Sequence, residues 1–338
     1  MRRVLLPLLA SCLCVIPWSL GGQAPAPASI RVDLEQRLGA IDPKVYGHFT
    51  EETLSSYEGG ISSEMLFNRK FEFPEERDIQ QIVFTGVPAG WEAIALDTSV
   101  TLVPDTEVHF SPSRSQRIAL SKANGFPAGI QQSGYHYVMP HVSRKQRIDD
   151  PFLFRPGEVY EVRIACKSKD FAGPLHIALG DSHERQVAKL SFNVSRDQDW
   201  RTYRGELRPS AKSEKSKFMV YIDTPGTVWI DSVSLVRADL NEGGFRKDAL
   251  ALTQRLTPTS IRWPGGWFVS DYHWQDGLGP VDQRPARFSR PWNAYTTNDV
   301  GTDDFIGLCR KLGAEPFITV NVGTGTPEEA GRILQWPS

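Results

Sequence analysis

Read for the spacing of apolar and polar positions, the chain changes character twice. From about Ile82 to Val236, short alternating runs are separated by turn residues, which is the pattern of an antiparallel β-sandwich. In one run Tyr160, Val162, Ile164 and Cys166 point one way while Glu161, Arg163 and Ala165 point the other. Phe218–Ile222 and Val228–Leu235 repeat the alternation around Thr224-Pro225-Gly226. No long run of helical period interrupts this stretch.

The flanks read differently. On the N-terminal side, Ile30–Leu34 and Lys44–Phe49 are expected to be strands and Ser63–Phe67 a helix, with the segment ending at Pro74. On the C-terminal side, Phe245, Ala249, Leu252 and Leu256 share one helical face, and a strand Ile261–Trp263 follows. Thr302 is placed to cap a second helix, striped by Phe305, Leu308, Cys309 and Leu312 and ended by Gly313. After the apolar run Phe317–Val322, Thr326-Pro327-Glu328-Glu329 forms a capping box with proline at the first helical position. Strand, loop, helix, strand, loop, helix is the rhythm of a parallel barrel whose chemistry lies in the loops after the strands.

The expected fold class is therefore α/β plus all-β. It is an incomplete (β/α)8 TIM barrel, of which the first three βα units are present, carrying an inserted, jelly-roll-like antiparallel sandwich. Residues 30–81 start the barrel, 82–238 form the sandwich and 239–338 continue the barrel. A barrel abolishes sheet edges only when closed. Three strands would leave an open edge and a weakly stable part.

Composition changes this picture little. The 338 residues are 40% hydrophobic and 23% charged, with a formal charge of −2, so the overall field gives no support for nucleic-acid binding. Arg2 and Arg3, the proline-broken apolar stretch Val4–Leu20 and the small residues to Ala24 read as an export signal spanning residues 1–24. The stretch is too short for a comfortable membrane span. Leu9-Ala10-Ser11-Cys12 offers lipoprotein anchoring as the alternative, and either way the chain is expected to be exported. Past the signal only Cys166 and Cys309 remain, expected as buried free thiols in different domains. Nine Trp suit core filling or, alternatively, stacking on sugar rings.

Several residues could carry chemistry. Glu51 and Glu52 follow a strand, where a barrel points carboxylates into its mouth; a solvated acidic turn is the plain alternative. In Arg262-Trp263-Pro264-Gly265-Gly266-Trp267 the two glycines allow close backbone approach to a ligand and Trp267 could stack on it, unless the segment is simply a tight turn. Asn321 closes an apolar strand, and its buried amide must find partners, from neighbouring strands or from a ligand. Asp271, His273, Asp276 and Asp282 lack metal-site spacing and are expected to make structural hydrogen bonds. Gly323-Thr324-Gly325-Thr326 lacks the Gly-Lys-Ser/Thr ending of a phosphate loop. Asn193-Val194-Ser195 fits a glycosylation sequon by pattern alone.

Taken together, Tyr46-Gly47-His48-Phe49-Thr50-Glu51, Gly59-Gly60, Glu64-Met65-Leu66, Asn68-Arg69-Lys70-Phe71-Glu72, Arg262-Trp263-Pro264-Gly265-Gly266, the Tyr272–Pro280 loop and Gly301–Glu329 closely resemble retaining α-L-arabinofuranosidases. The likeness covers approximately residues 30–75 and 240–336. The intervening sandwich resembles a carbohydrate-binding module inserted in some members, chiefly through its Thr227–Leu235 ending.

The resemblance implies a glycoside hydrolase acting on arabinan or arabinoxylan of plant cell walls, or on arabino-oligosaccharides, with retention and without a cofactor or metal. It implies substrate-binding roles for Glu51 and for the Pro264–Trp267 loop (Gly265, Gly266, Trp267), to which Asn321 is added from the pattern above. Relatives usually carry Asn or Cys where Trp267 stands, so the sugar contacts are expected to differ. The resemblance puts the acid/base glutamate at the end of a fourth strand and the nucleophile at the end of a seventh, both beyond Ser338. No catalytic carboxylate is then expected among residues 1–338. The competing classes are a non-catalytic carbohydrate-binding protein and a retaining glycosidase of other sugar specificity.

Overall fold

The computed structural model describes residues 29–36, 39–52, 56–73, 86–94, 97–123, 125–139, 146–183, 185–333 and 335. The expected export signal, the predicted sandwich start at Ile82 and Pro74 lie outside the described residues.

The chain divides into two units, Met1–Asp42 and Pro43–Ser338. In the first, Ile30–Leu34 is not a strand. Its alternating side chains are exposed and no sheet neighbour pairs with it among the described residues, so alternation alone does not hold it as a strand.

The second unit contains a three-stranded parallel sheet in chain order: His48–Phe49, Ser260–Trp263, Glu315–Ile318. His48 pairs with Ile261, and Ile261 with Pro316. The first strand is shorter than the Lys44–Phe49 run expected. Pro43–Tyr46 forms a 3-10 turn closed by the Gly47 amide on the Lys44 carbonyl at 3.1 Å. Gly47 is needed here, since a Cβ on it would lie 2.2 Å from Ser260 Oγ in the neighbouring strand.

The sheet has two unlike faces. Ile261 and Trp263 are buried against α2 (Thr302–Leu312), with the Trp263 ring stacked on Phe305 at 5.2 Å between centroids. On the strands to either side, Phe49 and Phe317 stay exposed, and the Arg262 guanidinium lies 4.3 Å over the Phe49 ring.

Between the first and second parallel strands the chain builds a sandwich of two antiparallel sheets, seven- and five-stranded. Ile130, Ile177, Leu179, Phe218 and Val220 of one meet Ile118, Val162, Ile164, Cys166 and Ile230 of the other in one continuous core. Tyr160, Val162, Ile164 and Cys166 are buried as their alternation requires. Ala165, assigned to the outer face, is buried as well.

Three further expectations change. Ser63–Phe67 is not a helix. The Glu64 carboxylate accepts the Met65 and Leu66 amides at 3.0 and 3.1 Å, competing with helical bonding. It also takes Leu235 N at 3.0 Å and Ser234 Oγ at 2.6 Å, fastening this segment to the sandwich. The helix after Phe245 is α1 (Lys247–Gln254); Phe245 precedes it in a short hairpin, so the stripe counted from Phe245 is out of phase. Leu250 is buried while Leu252 and Leu256 are exposed. Finally, Gly301 and not Thr302 is the N-cap of α2, and the Asp304 carboxylate accepts the Gly301 amide at 2.9 Å. Its predicted stripe and its left-handed Gly313 terminus are as expected.

Candidate sugar-binding site

The first and second parallel strands continue past their formal ends. Thr50 N donates to Arg262 O at 2.9 Å and Glu52 N to Pro264 O at 3.0 Å. This ladder fixes which way each side chain leaves the backbone, so the adjacent acids Glu51 and Glu52 go to opposite sides.

Glu51 packs on the glycine pair. Gly265 has φ +140, and a Cβ there would sit 2.3 Å from Glu51 Cγ. A Cβ on Gly266 would sit 3.1 Å from Glu51 Oε2. The Phe268 amide donates to Glu51 Oε1 at 2.8 Å, which pins the carboxylate while Oε2 faces the exposed Gly266. Beside it Trp267 leads into the short turn Phe268–Asp271 with its side chain 65% exposed, so its ring can be covered by a ligand. The structure thus brings Glu51, Gly265, Gly266 and Trp267 together at the C-terminal edge of the sheet.

Asn321 stands on the adjoining loop and is buried. Its Nδ2 donates to Tyr272 O at 3.1 Å and to Thr324 Oγ1 at 3.0 Å, and its Oδ1 accepts the Gly323 and Thr324 amides at 2.9 and 3.0 Å. Every hydrogen-bonding position of the amide is used within the protein, three by backbone groups of adjoining loops and one by the Thr324 hydroxyl, so neither neighbouring strands nor a ligand is needed to satisfy it. The loop is fitted closely onto the Trp267 turn. Thr324 N meets Ser270 O at 3.0 Å, and a Cβ on Gly323 would lie 2.4 Å from that same oxygen.

The acidic residues of the long loop are structural, as their spacing implied. Asp276 pairs with Arg287, Asp271 accepts the Arg290 amide at 2.9 Å, and Asp282 binds Arg69 and Arg163. His273 Nδ1 lies 3.0 Å from Glu329, so that carboxylate does not close the expected capping box; Thr326 supplies its half through Oγ1 to Glu329 N at 3.1 Å. No group of three metal-ligating side chains occurs among the described residues.

Sequence reasoning missed the polar cluster on the other side of the glycine loop. Burial raises the Glu52 carboxyl well above its ordinary range, with Glu58 and Asp299 adding to the effect, and Glu52 Oε2 is buried without a hydrogen-bond partner. Burial and Asp299 push Glu58 up to about 7, against hydrogen bonds from Thr297 and the charge of Lys70. Burial would raise Asp299 too, but Arg69 and Lys70 override it and hold Asp299 down to about 2. The signal was the Arg69-Lys70 pair beside apolar Phe71: two cations, 2% and 1% exposed, require buried counter-charges.

With this geometry in place, comparison with known proteins shows what the C-terminal part of the chain resembles. The profile described as "Alpha-L-arabinofuranosidase 1 domain" matches residues 252–335. Over 96 residues the chain is 51% identical to alpha-L-arabinofuranosidase C of Emericella nidulans. This part of the chain is similar to the α-L-arabinofuranosidase family. It is also 42% identical over 98 residues to an intracellular exo-alpha-(1->5)-L-arabinofuranosidase of Halalkalibacterium halodurans. These matches take in 28% and 29% of this chain but only 18% and 20% of the two relatives. The chain thus spans about a fifth of the length of the curated relatives it matches.

An arabinose-bound GH51 α-L-arabinofuranosidase structure superposes with a TM-score of 0.71 over 89% of this chain and 48% of that one. At 18% identity this shows a shared fold, predominantly β with few helices. The matched profile includes Gly265, Gly266, Trp267 and Asn321; Glu51 lies outside it and joins them only in three dimensions.

Proposed function

We propose that this chain carries the sugar-holding part of a retaining α-L-arabinofuranosidase that releases terminal, non-reducing α-L-arabinofuranosyl groups from arabinan- or arabinoxylan-type polysaccharides. The observation that carries this reading is Glu51, held by Phe268 N at 2.8 Å against Gly265 and Gly266, with Trp267 open beside it. A pinned carboxylate accepts hydrogen bonds from sugar hydroxyls without first having to be ordered, and an exposed indole covers an apolar ring face. Gly265 and Gly266 keep the backbone low enough for the sugar to reach Glu51. Asn321 supports the pocket from its loop and does not touch the ligand.

In this reading the three parallel strands are the first staves of a (β/α)8 barrel, with the sandwich inserted after the first. The exposed Phe49 and Phe317 are residues that further strands would cover. Retention requires two carboxyl groups about 5 Å apart, one giving a proton to the leaving oxygen and one attacking the anomeric carbon. Glu51 is committed to binding, and the reacting pair belongs to the later strands. Export through the signal at residues 1–24 would place the enzyme with its polysaccharide.

Two measurements on the 338-residue chain test the reading. L-Arabinose should perturb tryptophan fluorescence, and Glu51→Gln should remove that response. A chromogenic arabinofuranoside should not be hydrolysed by these residues alone. Hydrolysis would refute the assignment of the reacting pair, and a fluorescence response indifferent to Glu51→Gln would refute the pocket.

A further inference from the structure

Two arginines from distant parts of the sequence share the Asp282 carboxylate. Arg163, on the Tyr160–Lys169 strand of the sandwich, reaches Oδ2 at 2.6 Å and Oδ1 at 3.0 Å. Arg69 reaches Oδ1 at 2.7 Å and turns its Nε to Asp299. Lys70 meets Asp299 at 3.1 Å and donates to the carbonyls of Arg284 and Thr297, both at 2.6 Å. Gln283 donates to Phe110 O at 2.9 Å, and Val233 N of the sandwich donates to Arg69 O at 2.9 Å.

The position of Arg163 makes poor sense for the sandwich itself. Across the sheet it stands directly opposite Arg204, and like charges in that register are destabilising. A bidentate grip on Asp282 gives it a reason to be there. With side-chain exposures of 21% and 14%, this pair is not the weak surface ion pair that solvent screens.

We propose that the sandwich is a brace for the loop that carries the sugar pocket, and that Arg163 is a positioning residue acting through Asp282, Arg69 and Asp299. This inference rests on the pocket reading above only for what the loop holds; the brace itself is a statement about the loop. It gives the inserted module a function that needs no glycan bound to it.

Amide hydrogen exchange on the 338-residue chain tests the brace. Three loop amides each donate to a carboxylate and report on loop order: Phe268 to Glu51, Ala286 to Glu72 and Thr297 to Glu58. In Arg163→Met they should exchange about ten- to hundredfold faster, the loss expected for a charged hydrogen-bonded pair. Amides of the strands Ser213–Ile222 and Gly226–Arg237 should keep their protection. Arg163→Lys, which restores the charge without the fork, should recover part of the effect, and it serves as the gentler variant should Arg163→Met unfold. Asp282→Asn should speed loop exchange less in the Arg163→Met background than in wild type, what remains being its bond to Arg69, whereas Arg204→Met should leave the loop amides unchanged. Loop exchange indifferent to both Arg163 substitutions would overturn the brace. Failure of wild type to respond to L-arabinose, with the exchange pattern as expected, would count against the pocket reading alone.

Discussion

Gly265→Ala is the sharpest perturbation the site offers, because its neighbour Gly266→Ala is a built-in control. At Gly265 the backbone lies at φ +140, a region L side chains rarely enter, and forcing a residue into it costs about 1–3 kcal/mol. The added Cβ would also meet three Glu51 atoms, Cγ at 2.3 Å, Cβ at 2.7 Å and Cα at 2.9 Å. The last is backbone in the parallel ladder and cannot swing away. Overpacking of this kind adds about 1–3 kcal/mol, giving a total of about 2–6 kcal/mol. At Gly266 the nearest atom is the end of the flexible Glu51 side chain at 3.1 Å, so the same substitution should cost less than about 1 kcal/mol. Equilibrium urea unfolding of both variants, followed by far-UV circular dichroism, measures the difference directly. Arabinose-induced fluorescence should be lost in Gly265→Ala, since relief of the clash displaces Glu51, and should be retained though weakened in Gly266→Ala. Equal urea midpoints for the two variants would refute the claim that this glycine is dictated by contact with Glu51.

Other outcomes follow from the same geometry. Glu58 titrates near 7 in the fold against an ordinary 4.5, so the folded chain holds that proton more tightly than the unfolded chain does. Its contribution to stability is complete below about pH 4.5 and is lost as pH rises through about 7. Glu58→Gln should therefore flatten the fall in urea midpoint between about pH 5 and about pH 8, and equal slopes in variant and wild type would contradict this. Trp267→Ala, at an exposed position, should change stability by less than about 0.5 kcal/mol yet weaken L-arabinose binding about five- to tenfold, as titration calorimetry can read. Burial pushes the Cys166 and Cys309 thiols up to about 12, so neither should react with a thiol reagent at neutral pH until the chain unfolds.

What the sequence revealed, and what it hid, divides along physical lines. The sandwich strands and α2 were legible because each carries its own period and, in α2, its own terminator, Gly313 at φ +69. The glycine loop was legible because at Gly265 only glycine accepts the backbone and contacts. Ile30–Leu34 shows the opposite case: the pattern was present, but a strand needs a neighbour, which alternation cannot supply. Ser63–Phe67 and the phase of α1 failed for a related reason, since Glu64 and Phe245 take their partners from across the fold (Leu235 and Ser62). The Glu52, Glu58 and Asp299 cluster was hard to see because Asp299 lies more than two hundred residues after the two glutamates, and only the adjacent cations Arg69 and Lys70 hinted at buried counter-charges.

The same cross-chain partners explain how so large an insertion is tolerated between adjacent parallel strands. A parallel pair needs a crossover connection, commonly one helix, and here more than two hundred residues separate Phe49 from Ser260. Closure entropy is not the obstacle, because each doubling of a loop adds only about 0.6 kcal/mol. The harder requirement is that the two ends leave and return side by side. Ser62 bridges Phe245, Glu64 bridges Val236, Ser63 N donates to Gly244 O at 2.9 Å, and Met65 N to Leu235 O at 3.0 Å. The chain is thus zipped shut where it enters and leaves the sandwich, and the sheet sees a short crossover whatever lies beyond the zip. Mutations that open the zip, Glu64→Ala first among them, should therefore loosen the Phe49–Arg262 pairing although neither residue is touched. Faster exchange of the Thr50 amide, which donates to Arg262 O at 2.9 Å, would reveal it, and unchanged protection there would show that the two parallel strands hold together without the zip.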